Sequence, residues 1–271
     1  MLHKDLDQEK KVSDAFSKQS LGFDKADTEN LILQWMRSRV REHVFGFWRP
    51  GEHILEINAG TGLDAIFFAN KGFHIHATDN APGMLAVLDK KIKEQHLEDK
   101  ITTQRCSFVE LGKLNAGKFD HIFSNFGGLN CTDKLEGVIK SFAALLKPGG
   151  TVTLVIMPSF CPWEFLYLFK GSFKLAFRRW KKNGAPSHLE DVNFITWYYS
   201  ASRVKKMFGK KYSILSVMGL GIFIPPPFLE HFPKKYPKTF KRLIAIENSI
   251  SSKAPFHSWA DHFIVSAKKL E

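Results

Sequence analysis

The sequence has few cysteines and no long uninterrupted run of apolar residues. Its three cysteines are scattered and form no Cys-x-x-Cys pair, so they give no sign of a disulfide framework or a metal site. No window reaches about 18 consecutive apolar residues, and we therefore expect no membrane-spanning helix. The opening MLHKDLDQEKKVSD lacks the apolar core of a secretory signal. These absences predict a cytoplasmic protein without a bound metal.

Acidic residues are scarce in the second half of the chain. Residues 151–271 contain 19 Lys and Arg against 7 Asp and Glu, whereas residues 1–150 contain 20 of each. The same second half holds 22 of the 36 aromatic residues. The net charge of +12 therefore comes from a basic and aromatic half, and an account of function has to use this asymmetry.

Strand-like and helix-like segments alternate through the middle of the chain. Five short apolar runs read as buried strands, and helical patterns lie between them. Such alternation predicts an α/β fold with a parallel sheet covered by helices on both faces. The five predicted strands are 53–58, 74–79, 101–106, 119–125 and 151–157.

We divide the chain into four parts. Residues 1–48 are predicted to form a helical lead-in or lid, in which Ala26–Glu29 caps an amphipathic helix. Residues 49–158 are expected to form the core that contains the five strands, and residues 159–211 a cap inserted after the fifth strand. Within the cap, residues 191–200 read as a strand pair or one extended strand. Residues 212–271 complete the sheet with two strands and a helix.

The segment EINAGTG contains a glycine turn that follows the first strand. Gly60–Ala65 satisfies the Gly-x-Gly-x-x-Ala pattern of dinucleotide sites, which on its own is a weak signal. Glu56, at the end of the strand, would oppose a pyrophosphate but suits a cationic amino-acid head group. Asp79 ends the second strand, where it can accept hydrogen bonds from two ribose hydroxyls.

Taken with these acids, the sequence resembles the Rossmann-like, class I S-adenosylmethionine-dependent methyltransferases. The matching stretches are LEINAGTG, ATDNAPGML, FDHIFSNFGGLN and LLKPGGTVTLVIM. They occur in the family's order and cover roughly residues 50–157. The resemblance implies a seven-stranded sheet closed by an antiparallel hairpin. It also implies S-adenosyl-L-methionine as the cofactor, with S-adenosyl-L-homocysteine as the product.

The resemblance also assigns cofactor contacts to particular positions. Those around the methionine part are Glu56, Asn58, Ala59, Gly60 and Gly62. Asp79 would hold the ribose, Asn80 or Met84 would line the adenine, and Ser107 and Phe108 would sit at the adenine edge. Ser124, Asn125 and Phe126 would face the transferable methyl group. Two departures are that Asn58 stands where many relatives have glycine, and that Cys106 and Ser107 stand near where the family often has an acid that meets the adenine amino group.

The cap contains the stretch WEFLYLFKGSFKLAFRRWKK, which we predict to be an amphipathic helix with an apolar stripe and a basic face. The stripe is open to three interpretations: packing of a cap helix, the wall of a hydrophobic acceptor pocket, or peripheral contact with an anionic membrane. The residues proposed for the acceptor pocket are Phe23, Trp163, Phe169, Phe173 and Tyr198.

The sequence predicts the cofactor better than it predicts the acceptor. We expect a methyltransferase for a small, hydrophobic or anionic acceptor, such as a secondary metabolite, a quinone-like or a lipid-like molecule. The alternatives are an RNA methyltransferase, a nicotinamide enzyme and a non-catalytic S-adenosylmethionine-binding protein. Nucleic acid is disfavoured because SNFGG differs from the Asn-Pro-Pro-aromatic motif and the lysines are dispersed.

No catalytic residue is assigned from the sequence, and the oligomeric state is left open. The acid–base candidates, none of them preferred, are His188, Glu190, Asp191, Tyr198, Tyr199, His231 and His257.

Overall fold

Nine strands form the sheets in the part of the chain that the structure describes. The computed structural model describes the backbone of residues 2–114 and 116–271, and the side chains of residues 6–114, 116–169 and 171–271. The strands are β1 (His53–Ile57), β2 (His74–Asp79), β3 (Ile101–Arg105), β4 (Phe119–Ser124), β5 (Leu146–Ile156), β6 (Ala185–Leu189), β7 (Val192–Thr196), β8 (Tyr212–Leu220) and β9 (His262–Lys269).

Seven of these strands form one sheet in the order β3–β2–β1–β4–β5–β9–β8, and β6 pairs with β7 in a separate hairpin. Neighbouring strands from β3 to β5 are parallel, whereas β9 is antiparallel to both β5 and β8. This confirms the predicted seven-stranded sheet with its closing hairpin. The strand order reverses between β1 and β4, which opens a crevice at their carboxyl ends where such sheets bind ligands.

Helices cover both faces of the sheet. They are α1 (Leu2–Glu29), α2 (Leu31–Val44), α3 (Leu63–Asn70), α4 (Pro82–Glu94), α5 (Leu135–Leu145), α6 (Pro162–Phe165), α7 (Phe173–Ala176), α8 (Ala201–Phe208), α9 (Phe232–Lys235) and α10 (Pro237–Ile250). Side chains of α2, α3, α4 and α10 pack on one face, and those of α5 and α8 pack on the other. Among the described residues, no helix combines the length and the apolar character that a membrane crossing requires.

The helix cap predicted at Ala26–Glu29 is wrong. Helix α1 continues through these residues to Glu29, and Asn30 caps α2 instead. The Asn30 Oδ1 accepts the backbone N–H groups of Ile32 at 3.0 Å and Leu33 at 3.3 Å. Asp27 cannot serve as the cap because its carboxylate is bonded to the Arg37 guanidinium.

The long amphipathic helix predicted in the cap is also wrong. Residues 162–180 form the short helices α6 and α7 and two 3-10 turns. Gly171 ends the first 3-10 turn in the left-handed region with φ +70°, which breaks the helical periodicity. The predicted apolar stripe does not form. The side chains of Phe169 and Phe173 are 89% and 66% exposed, whereas Arg179 is buried.

Two other predicted boundaries shift. The strand pair expected at 191–200 is the β6–β7 hairpin, which begins earlier, at Ala185. The fifth strand, predicted at residues 151–157, begins earlier, at Leu146. Helix α8 lies in the range predicted for the cap, but its Val204 and Phe208 side chains pack with those of α5 in the hydrophobic core on one face of the sheet.

Candidate cofactor-binding site

The turn between β1 and α3 is built from left-handed residues. Asn58, Gly60 and Gly62 have φ values of 50°, 58° and 79°. A Cβ added to Gly62 would lie 2.2 Å from Cδ1 of Leu88 on α4. Gly62 is therefore needed for close packing of the turn against α4, in addition to its backbone conformation.

Asp79 joins this turn to the start of α4. One carboxylate oxygen accepts the Gly60 N–H and the other accepts the Ala81 N–H, both at 2.8 Å. Burial raises the pKa of Asp79, and these N–H groups counteract the effect. Each carboxylate oxygen has a further lone pair, so both can accept a ligand hydroxyl as well.

A cavity opens beside Asp79 at the carboxyl ends of β1, β2 and β4. Eight of the thirteen predicted cofactor residues line it, and of the predicted acceptor residues Phe23 does so. The eight are Asn58, Gly60, Asp79, Asn80, Met84, Phe108, Asn125 and Phe126. Sequence reasoning missed Val12, Ser13, Gly128 and Cys131, which also line the cavity.

The other five predicted cofactor residues surround the cavity without lining it. The backbone of Ala59 and Gly62 shapes the turn, with the Gly62 N–H bonded to the Ala59 carbonyl at 3.0 Å. The Ser124 hydroxyl donates to Oδ1 of Asn58 at 2.7 Å, and the Ser107 hydroxyl donates to Glu9 at 2.8 Å. Glu56 is buried beneath the turn.

Asn58, the departure from the family pattern, links two turns. Its Oδ1 accepts from Ser124, and its Nδ2 donates to the Asn125 carbonyl at 3.3 Å. Asparagine is among the few non-glycine residues that tolerate the left-handed region. A Cβ on Gly128 would lie 2.6 Å from the Asn58 side chain, so the asparagine packs directly on the glycine after β4.

Helix α1 lies across the cavity. The Ser13 hydroxyl donates to the Asn80 carbonyl at 3.0 Å, and the Ser17 hydroxyl accepts the Gly83 N–H at 3.2 Å. At the other end, the Gln8 side chain exchanges two hydrogen bonds with the Ile195 backbone on β7. Phe16 and Phe23 line the cavity from the same helix.

A buried charge cluster underlies the cavity. The Asp64 carboxylate accepts from Arg37, from Arg41 Nε at 2.7 Å and from Asn125 Nδ2 at 2.8 Å. Although burial opposes it, the two guanidinium groups lower the pKa of Asp64. Burial and the nearby Asp64 charge raise the pKa of Glu56 well above its usual range. Its buried Oε2 has no hydrogen-bond partner among the described residues.

The remaining predicted acceptor residues lie in the cap and do not line the cavity. The Trp163 indole donates to the Ile222 carbonyl at 3.0 Å, and the Tyr198 ring lies 5.0 Å from the Arg179 guanidinium. Phe169 and Phe173 are exposed. The segment folds as short turns, so the stripe that would have grouped these side chains does not form.

The acid–base candidates from the sequence do not line the cavity either. His188, Glu190, Asp191 and His231 are exposed. The buried Tyr199 donates its hydroxyl to the Thr132 carbonyl. Tyr198 faces Arg179 as described, and His257 lies in the turn after α10.

Cys161, Glu164 and Asp261 place one potential metal ligand each within 4.8 Å of one another. Arg179 donates to both carboxylates, and Arg178 donates to Glu164. Burial raises the pKa of the Cys161 thiol to about 12, so the thiol is protonated. The cluster is therefore a buried ion network whose carboxylates already have cationic partners.

The strand order, the closing hairpin and a cavity at the reversal of strand order define the class I methyltransferase fold. Residues 54–150 match the family model described as a methyltransferase domain. Residues 54–150 thus form a methyltransferase domain, and the sheet has the class I methyltransferase fold.

Curated relatives include enzymes of quinone biosynthesis. The demethylmenaquinone methyltransferase of Clavibacter sepedonicus is 26% identical over 155 residues, which cover 57% of this chain and 61% of the relative. The ubiquinone biosynthesis O-methyltransferase of Xanthomonas campestris pv. campestris is 30% identical over 111 residues, which cover 39% and 43%. The chain spans about half the length of the curated relatives it matches.

Solved structures share the fold over most of this chain. The phosphoethanolamine N-methyltransferase 2 of Haemonchus contortus superposes with a TM-score of 0.60 at 16% identity, covering 94% of this chain and 58% of that chain. The DhpI complex with S-adenosylhomocysteine gives a TM-score of 0.59 at 12% identity and covers 97% of each chain. At these identities the likeness concerns the fold.

Proposed function

We propose that this protein transfers a methyl group from S-adenosylmethionine to a small, apolar acceptor that carries an aromatic hydroxyl. The observation that carries the proposal is the cavity at the reversal of strand order. Asp79, a carboxylate suited to a ribose, lines this cavity, and Glu56 lies buried beneath the adjoining turn with its Oε2 unpaired among the described residues. A cationic amino-acid head group would supply the missing partner for Glu56.

The chain has a side chain for each part of the cofactor. Glu56 would pair with the ammonium group, and Asp79 would accept the ribose hydroxyls. Met84 and Phe108 offer apolar surfaces for the adenine, and Asn125 and Phe126 line the opposite part of the cavity. The residues present therefore fit the group that the fold implies.

When bound, the cofactor supplies a methyl group on a sulfonium, which is already activated for displacement. The work left to the protein is alignment of the two reactants and removal of water. Phe16 and Phe23 line the cavity from α1, and the hydrogen bonds of Ser13 and Ser17 fix that helix over the cofactor turn. We infer that α1 shields the reaction from solvent.

Two observations support an aromatic, apolar acceptor. The cavity is lined mainly by apolar side chains, with Phe16, Phe23, Phe108 and Phe126 among them. The curated relatives include demethylmenaquinone methyltransferases and ubiquinone biosynthesis O-methyltransferases. A quinol-like ring would satisfy both.

We further propose that the cap contacts an anionic membrane surface. The cap patch consists of Leu166, Phe169, Phe173, Trp180 and Phe228, whose side chains are 49–89% exposed. The Tyr167 ring lies 6.5 Å from the Phe228 ring and connects the two segments of the patch. Exposed lysines flank it at positions 174, 181 and 182. An apolar patch bordered by lysines complements anionic lipid, in which an apolar acceptor would be dissolved.

Calorimetric titration of the protein with S-adenosylmethionine, S-adenosylhomocysteine and NADH tests the cofactor. We expect micromolar binding of the first two and none of NADH. Binding of NADH alone would overturn the proposal. A protein that binds the cofactor but methylates no small phenolic acceptor would favour the non-catalytic alternative. Salt-sensitive, length-dependent binding of RNA would favour the nucleic-acid alternative.

A further inference from the structure

Asp261 and His262 form a buried pair at the carboxyl edge of the sheet. Strand β9 runs antiparallel to β5, with Phe263 opposite Ile156, so β9 begins where the parallel strands end. The His262 Nδ1 lies 3.0 Å from Oδ2 of Asp261. Both residues are buried: His262 is 8% exposed and Asp261 is 7% exposed.

The other imidazole nitrogen, Nε2, lies beside Gly127, which adjoins the cofactor cavity. A Cβ built on Gly127 would lie 3.3 Å from His262 Nε2, and Gly127 is flanked by the cavity-lining residues Phe126 and Gly128. The imidazole packs edge-on against the Phe126 ring, with centroids 6.1 Å apart. Among the described residues, no group is hydrogen-bonded to His262 Nε2.

Arg179 holds Asp261 in place. Its guanidinium donates to Oδ1 of Asp261 at 2.9 Å and to the Asp261 backbone carbonyl at 2.9 Å, and Glu164 balances the charge. The Oδ2 atom of Asp261 therefore remains available to the imidazole. A carboxylate on Nδ1 fixes the tautomer with a proton on Nδ1 and a lone pair on Nε2.

The surroundings of the imidazole contain few other charges. Asn130 and Met157 approach Gly127 beside the ring, and Phe126 separates it from the Arg37 guanidinium, which lies 4.5 Å from the Phe126 centroid. Asp261 is the charged group in direct contact with His262. The pair therefore has the arrangement of an oriented general base whose accepting nitrogen lies beside Gly127, next to the cavity.

We propose that His262 is the general base of the methyl transfer and that Asp261 orients it. This rests on the proposed function and adds the acceptor class, a hydroxyl that must lose its proton. The hydroxyl oxygen forms a bond to the methyl carbon while the carbon–sulfur bond breaks and its electron pair passes to sulfur. The hydroxyl proton moves to His262 Nε2, and Asp261 stabilises the resulting imidazolium.

Catechol and 4-nitrocatechol, the latter largely ionised at neutral pH, are the probes for a kinetic test. For His262→Gln we expect kcat for catechol to fall about 100-fold or more, with KM and S-adenosylhomocysteine affinity nearly unchanged. For 4-nitrocatechol we expect kcat to fall by less than about 10-fold, because this acceptor is already ionised and needs no base. Asp261→Asn should follow the same pattern, and the exposed His231→Gln serves as the control.

Equal losses for both catechols would indicate a structural role and overturn the proposal, as would full activity of His262→Gln. A second measurement distinguishes a wrong assignment of His262 from a wrong proposed function. Diethyl pyrocarbonate modifies unprotonated imidazoles, and peptide mapping of the wild type with and without S-adenosylhomocysteine shows which histidines the cofactor site shields. We expect His262 to be modified in the free protein and protected by the ligand, while His231 is modified in both.

If the wild type methylates neither catechol, the proposed acceptor class fails, and the protection experiment still decides the position of His262. A His262 that is never modified, or that is modified equally with and without the ligand, would show that Nε2 does not open on the cofactor site.

Discussion

Glu56 and Asp64 are two buried carboxylates beneath the same glycine turn, and they differ in their partners. Asp64 has two guanidinium groups and an amide, whereas Oε2 of Glu56 has no hydrogen-bond partner among the described residues. Burial and the Asp64 charge raise the pKa of Glu56, and Arg37 and Arg41 lower that of Asp64 against the effect of burial. Asp64 is therefore fully paired, whereas Oε2 of Glu56 is the atom that we propose to pair with the ammonium group of the cofactor.

Glu56→Gln should stabilise the free protein and weaken cofactor binding. The pKa of Glu56 is raised in the folded state. The free energy of unfolding therefore falls as the pH rises above about 4.3, the pKa of a glutamate in the unfolded chain. The amide removes this loss, and we expect the free energy of unfolding at pH 7 to rise by about 1–3 kcal/mol. Urea unfolding at pH 5 and pH 7 and calorimetry with S-adenosylmethionine measure both effects. A less stable variant with unchanged affinity would contradict the assignment.

Asp79→Asn should weaken binding of S-adenosylhomocysteine by about 1–3 kcal/mol, because the amide accepts through one oxygen instead of two. Asp89→Asn is a matched control, since Asp89 accepts one hydrogen bond from Thr103 at 2.7 Å and does not line the cavity. Calorimetry should show normal affinity for the control. Normal affinity in both variants would remove Asp79 from the cofactor site.

Arg179→Met should destabilise the fold more than Arg178→Met. Arg179 is buried between Glu164 and Asp261, whereas Arg178 is 37% exposed and, among the described residues, forms an ion pair with Glu164 only. Removing one partner of a buried ion network costs about 3–5 kcal/mol, and chemical denaturation should show a clearly smaller loss for Arg178→Met. Equal losses would contradict the central place of Arg179 in the network.

The same network makes stability depend on pH. Despite burial, the contacts with the arginines lower the pKa of Glu164, and those with His262 and Arg179 lower that of Asp261. Groups with lowered pKa values stabilise the fold above their unfolded values and lose that contribution on acidification. The wild type should therefore lose stability below about pH 4, and Arg179→Met should lose less over the same range.

Gly83→Ala should displace α1 from the cofactor turn. A Cβ on Gly83 would lie 2.6 Å from the Ser17 carbonyl oxygen and 2.9 Å from its Cα, so the backbone of α1 must shift. We expect an affinity loss for S-adenosylhomocysteine of about 1–3 kcal/mol and faster amide exchange in α1. Gly137→Ala on α5 is the control, because nothing lies within 4 Å of its added Cβ. An unchanged exchange rate in Gly83→Ala would show that α1 is not held there.

The double variant Phe169→Ser and Phe173→Ser should bind anionic vesicles at least about 10-fold more weakly than the wild type, because each exposed ring contributes about 1–2 kcal/mol on burial in lipid. Co-sedimentation with phosphatidylglycerol–phosphatidylcholine vesicles measures this, and added salt should weaken binding of the wild type. Leu270→Ser is the control, since Leu270 is 46% exposed beyond the far end of β9. Equal binding by the double variant would exclude the cap patch.

The sequence by itself determined the sheet and its cofactor turn. Buried strands and glycine turns are local patterns, and the positions of Glu56 and Asp79 at strand ends follow from the strand lengths. The parallel topology then brings those ends to one edge, where eight of the predicted cofactor residues line one cavity.

Only the tertiary structure decided the fold of the cap and the positions of helix α1 and His262. The left-handed Gly171 and the burial of Arg179 between Glu164 and Asp261 replaced the predicted amphipathic helix. The contacts of Ser13 and Ser17 with the start of α4, and the place of His262 beside Gly127, join residues far apart in the chain. Helical periodicity reports local preference, whereas long-range ion pairs and the meeting of distant strand ends depend on how the whole chain packs.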